Sequence, residues 1–113
     1  MEVPVNRMRP IHPGEILREE FLVPLAMSGH ALAMALQVPA PRINDIVRER
    51  RAVSVDTAMR LARTFSMSAE FWLGLQTDYD MAVARDTLAE VLAEVLADIR
   101  PLRADARRTR QAA

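Results

Sequence analysis

A chain of 113 residues, half of them hydrophobic, is long enough for one domain with a real core and an appendage. Its 15 basic residues, all arginine, balance 15 acids, which excludes a global basic field announcing a nucleic-acid partner. The lack of cysteine excludes a disulfide, a thiol nucleophile and a sulfur-ligated metal. No apolar run approaches the roughly 20 residues that cross a bilayer, and Met1 to Pro13 lacks a signal peptide's apolar core, so a soluble, cytoplasmic protein without membrane contact is expected.

The apolar content is mainly Ala, Leu, Val and Met, with few aromatics and little β-branched alternation, which predicts an all-α fold. Residues 1–12 carry Pro4 and Pro10 and no periodic pattern, and read as a flexible lead-in. Pro13 opens the first helix, with Glu15 favouring its positive end and Ile16, Leu17, Phe21 and Leu25 as its inner stripe. Pro24 places the stop between Val23 and Ala26.

Ser28 is the next N-cap, ahead of Leu32, Ala33 and Leu36 at helical spacing. Gln37 and Val38 make a tight turn into a helix that starts at Pro39-Ala40-Pro41 and turns Ile43, Ile46 and Val47 inward. Two short helices joined in this way have the form of a helix-turn-helix, whose second helix enters the DNA major groove. Any small helical domain can contain such a pair, so the pattern alone leaves the function open. From Gln37 to Arg63 six arginines face three acids, a local surplus of three positive charges.

Ser54 caps a fourth helix, with Val55, Ala58, Met59, Ala62 and Phe65 marking its buried face and Leu61 beside it. Ser68 caps a fifth, and the aromatic set Phe65, Phe71, Trp72 and Tyr79 is expected to close the bottom of the core. From Asp86 to Leu102 the spacing predicts one long amphipathic helix. Its apolar stripe carries Leu88, Val91, Leu92, Val95, Leu96 and Ile99, and Asp86, Glu90, Glu94 and Asp98 repeat every four residues beside it, a solvated acidic face or one that meets a basic partner. Pro101 ends or bends this helix, and residues 103–113 form an arginine-rich tail expected to be mobile.

The inventory for catalysis is thin. Neither His12 nor His30 has a nearby set of Asp, Glu and His at metal-ligand spacing, and the three glycines make no phosphate-cradling loop. The serines suit caps better than nucleophiles, so no enzyme, cofactor or metal is expected.

The blocks His12 to Leu17, Phe21-Leu22 with Pro24-Leu25, Asp56 to Arg63 and Glu70 to Asp80 closely resemble the HigA family of antitoxins, Xre-type helix-turn-helix proteins of bacterial toxin–antitoxin pairs. The resemblance covers about Arg9 to Ala84. It implies a five-helix, lambda-repressor-like helix-turn-helix domain at 13–84 that forms a homodimer and binds double-stranded operator DNA upstream of its own operon. The family's partner is a HigB toxin, a RelE-related mRNA endonuclease held inactive by the antitoxin. The additional C-terminal amphipathic helix, 85–102, then serves dimerisation or toxin contact through Leu88, Val91, Leu92, Val95, Leu96 and Ile99.

By the same resemblance the DNA-facing positions are Ser28 and His30, then Ala40, Pro41, Arg42, Asn44, Asp45 and Arg48, with Arg50 and Arg51 placed for phosphates. Three departures bear on function. Gly29 stands where members often carry a polar residue, Pro39-Ala40-Pro41 where Ser, Arg, Gln or Thr commonly reach base edges, and Glu49 where glycine usually ends the helix. Base reading then falls largely on Arg42, with Asn44 beside it. Two other functions stay open: an interaction protein that neutralises toxin with weak or lost DNA binding, and a stand-alone repressor.

Overall fold

The computed structural model describes residues 9–102; the readings of 1–8 as lead-in and of 103–113 as tail lie outside the described residues. Every regular element among the described residues is helical. The chain forms two units, Met1–Val83 and Ala84–Ala113.

In the first unit, α1 (Pro13–Ile16) runs without a break into a π-helical stretch, π1 (Leu17–Leu22). The π register is seen in Val23 N–H, which donates five residues back to Arg18 O at 3.0 Å. Five-residue spacing therefore sets the inner stripe: Leu17 and Leu22 are buried, whereas Leu25, expected inside, is 56% exposed. The lead-in reading also ends too late, since His12 is buried and acts as the N-cap of α1, its Nδ1 accepting from Gly14 N–H at 2.8 Å.

Helices α2 (Gly29–Leu36) and α3 (Ala40–Val47) follow, joined by the short turn through Gln37. Then come α4 (Val55–Phe65) and α5 (Ala69–Thr87). The three serine caps form as read. Ser28 Oγ accepts from Ala31 N–H at 3.0 Å, Ser54 Oγ from Thr57 N–H at 3.2 Å and Ser68 Oγ from Phe71 N–H at 3.2 Å.

The core gathers Leu17, Leu22, Leu32, Ala33, Leu36, Ile43, Ile46, Val53, Ala58, Leu61 and Trp72. On α4 the inner face is Thr57, Ala58 and Leu61, while Val55 and Met59, expected to be buried, are exposed. The aromatic set closes the core in part: Phe65 packs against it, 4.8 Å from Phe21. Trp72 alone of the four is fully buried, packed against Phe21 at 5.2 Å; Phe71 is exposed and Tyr79 lies edge-on to His12 at 4.8 Å.

In the second unit the single long helix expected from Asp86 is absent. Helix α5 continues through Asp86 to Thr87, Leu88 leaves helical geometry (φ −111°, ψ 2°), and α6 spans Ala89–Asp98. It stops three residues before Pro101, with Ile99 extended. None of its residues is buried.

Candidate nucleic-acid interface

The α2–α3 pair is held by its ends. Gln37 takes the left-handed conformation (φ 62°), so that Val38 N–H reaches Ala33 O at 3.0 Å and Gln37 N–H reaches Met34 O at 3.1 Å. Arg60 on α4 caps the same end, donating from Nη1 to Leu36 O at 2.8 Å and to Gln37 O at 3.3 Å. The C-terminus of α3 closes in the same way: Glu49 is left-handed (φ 64°), Glu49 N–H donates to Ile46 O at 2.9 Å and Arg50 N–H to Asp45 O at 2.8 Å. Arg18 of π1 donates to Val47 O and pairs with Glu49 at 3.2 Å. Two arginines thus sit at the carbonyl ends of the two helices, where the helix dipoles favour positive charge.

The side chains expected at DNA are distributed unevenly. Ser28, His30, Pro41, Arg48, Arg50 and Arg51 are exposed; Ala40, Arg42, Asn44 and Asp45 are half-buried. Ala40 packs against the core, so part of its methyl is turned away from the surface. Asn44 lies over Gly29, where an added Cβ would come 2.6 Å from Asn44 Oδ1. Glycine at that position therefore makes room for a side chain of α3.

Arg42, expected as the main base reader, is already engaged: its Nη1 donates to Asp56 Oδ2 at 2.6 Å, and Arg60 Nε donates to the same oxygen at 3.0 Å. These two donors hold the Asp56 carboxyl below the usual carboxylate range, Arg42 first and Arg60 second. Arg42 also shares a shallow hollow with Arg51, Ala52, Ser54 and Thr57. Of the six arginines between Gln37 and Arg63, Arg60 is thus spent on structure, whereas Arg48, Arg50 and Arg51 are exposed at the surface.

The loop leaving α3 is anchored by a residue that the sequence reading passed over. Val53 N–H, buried, donates to Gln76 Oε1 at 2.8 Å, and Gln76 Nε2 donates to Asp80 Oδ1 at 3.0 Å. Arg18, Asp56, Arg60 and Gln76 were all missed. Only the Asp56–Arg60 pair, four residues apart on one helix, carried a local signal.

On the second unit Leu88, Val91, Leu92, Val95, Leu96 and Ile99 are all exposed, from 39% at Leu92 to 71% at Val91. Among the described residues no three His, Cys, Asp or Glu gather to hold a metal ion, and no helix is long and apolar enough to cross a membrane.

No family profile matches the chain. The antitoxin HigA of Pseudomonas aeruginosa, solved with the higBA promoter, is 52% identical, superposes with a TM-score of 0.74 and is matched over 100% of its length by 84% of this chain. The chain belongs to the HigA family of antitoxins. Virulence-associated protein I of Dichelobacter nodosus is 55% identical over 86 residues, 74% of this chain and 80% of its own. Antitoxin HigA-1 of Vibrio cholerae is 30% identical over 85 residues, 75% of this chain and 80% of its own. The blocks that carried the HigA resemblance now have physical reasons. His12 and Gly14 start α1 beneath the end of α3, and Gln76 ties the next loop to α5.

Proposed function

We propose that this HigA-family chain is the antitoxin of a type II toxin–antitoxin pair. It binds operator DNA as a homodimer through its 13–84 helix-turn-helix domain, represses its own operon, and neutralises a HigB-like, RelE-related endonuclease by direct binding. It acts in the cytoplasm and is not itself an enzyme. The observation that carries the reading is the likeness, over the relative's whole length, to an antitoxin solved with promoter DNA.

In this reading α3 enters the major groove, Arg42 is the main base reader, and Arg48, Arg50 and Arg51 contact phosphates, supported by Ser28 and His30 at the start of α2. Pro41 and Ala40 offer apolar contact only, and Asp45 weakens the approach to phosphate. A recognition helix so sparse in donors relies on the two-fold avidity of a dimer. The exposed apolar face of α6 serves the second copy or the toxin.

The test is a strain carrying the adjacent toxin gene under induction and a reporter on the operon promoter. Supplying the chain is expected to restore growth and lower reporter output together. Growth rescue without repression would leave a toxin-binding protein that no longer reads DNA; repression without rescue would leave a stand-alone repressor.

A further inference from the structure

Asp56 lies on α4, outside every position read as DNA-facing, yet it is the partner of the arginine on which base reading depends. One oxygen, Oδ2, accepts from Arg42 of α3 and from Arg60 of α4, and Arg60 is in turn bound to the carbonyls of Leu36 and Gln37 at the turn between α2 and α3. The chain of contacts joins three elements: the helix-turn-helix turn, α4 and the recognition helix. Asp56 is therefore held from the Arg60 side whatever Arg42 does. Arg42 is a long side chain whose reading of a base requires its guanidinium to be delivered in one orientation, and it is only half-buried, so packing alone leaves it rotatable.

We propose that Asp56 is a positioning residue for operator recognition, holding the Arg42 guanidinium at the DNA-facing surface in the orientation that reads a base. This rests on the assignment of Arg42 as a base reader. Arg42 keeps further N–H donors for DNA while one is held by Asp56, because a guanidinium presents five. The carboxylate also cancels one positive charge at the interface, which restrains Arg42 from binding phosphates without regard to sequence.

The experiment measures binding of the full chain to its own operator and to a scrambled duplex of equal length, by fluorescence anisotropy at matched salt. The proteins are wild type, Asp56→Ala, Asp56→Asn, Arg42→Ala and the double variant Asp56→Ala with Arg42→Ala. The ratio of operator to scrambled affinity is expected to fall roughly tenfold in Asp56→Ala, by less in Asp56→Asn, with scrambled binding held or strengthened. In the double variant it is expected to fall no further than in Arg42→Ala alone.

A purely structural Asp56 would weaken both duplexes equally and leave the ratio unchanged, which overturns the proposal. If Asp56→Ala does not fold, Asp56→Asn, which keeps an acceptor at the same place, decides by the same ratio. An unchanged ratio in Arg42→Ala overturns the base-reader assignment and this inference with it. A lowered ratio in Arg42→Ala beside unchanged ratios in both Asp56 variants overturns the inference alone.

Discussion

Gly14 and Ile46 are in closer contact than any side chain at position 14 would permit: an added Cβ would lie 1.7 Å from the Ile46 carbonyl oxygen. The first helix thereby packs its backbone directly against the end of α3. Gly14→Ala must push α1 away from α3, and it is expected to destabilise the fold by about 3 kcal/mol or more, at the upper end of what overpacking costs. Urea unfolding of the variant beside wild type checks this.

A second prediction concerns Gln76. Its Oε1 is the acceptor for the buried Val53 N–H, so Gln76→Leu keeps the volume but leaves that donor unpaired. The expected cost is about 1–3 kcal/mol in equilibrium unfolding. Gln76→Glu keeps the acceptor for Val53 but turns a carboxylate oxygen toward Asp80 Oδ1, where Gln76 Nε2 now donates, and is expected to lose at least as much at neutral pH and to recover on acidification.

Among the described residues, Ala26, Gln37, Glu49 and Ser66 hold the left-handed conformation without being glycine. Ser66 follows α4, where Met67 N–H closes onto Ala62 O at 2.9 Å. Ser66→Gly removes the Cβ conflict and is expected to stabilise by about 0.5–1 kcal/mol. Glu49→Gly is expected to be nearly neutral, because relief at the backbone is offset by losing the Arg18 partner. Paired thermal melts of the two variants make the comparison.

These positions show what was legible in the sequence. The serine caps, the turn at Gln37 and Val38 and the inward Ile43 and Ile46 are local signals, written within a few residues, and could be read directly. The π stretch could not, because nothing in Leu17 to Leu22 departs from ordinary helical spacing until Leu22 is seen inside and Leu25 outside. Arg18, Gln76 and Asp56 act on partners 14 to 31 residues away, and such pairings follow from the fold alone. The resemblance named Arg42 as a reader; the structure adds that it does not stand by itself.

His12 gives a pH prediction. Burial lowers its pKa, with Glu49 and Asp80 acting weakly the other way, so the folded state binds a proton less readily than the unfolded chain. The stability it contributes is fully present above the unfolded value of about 6.5 and is lost as pH falls below it. Protonation would also remove the Nδ1 acceptor for Gly14 N–H. Unfolding free energy is expected to decline from about pH 6.5 toward 5, before the carboxylates of Glu15 and Asp56 begin to titrate. His12→Asn retains a capping acceptor and is expected to flatten that slope, as denaturant titrations across this range would show.

The central claim is that α3 reads operator DNA chiefly through Arg42, with phosphates held by Arg48, Arg50 and Arg51. The most direct measurement is the affinity of wild type, Arg42→Ala and Arg48→Ala for the chain's own operator and for a scrambled duplex, across a salt series. Arg42→Ala is predicted to cost about 1–3 kcal/mol on the operator and little on the scrambled duplex, while Arg48→Ala weakens both and reduces the salt slope by about one. Equal wild-type binding to both duplexes at matched salt would contradict the account.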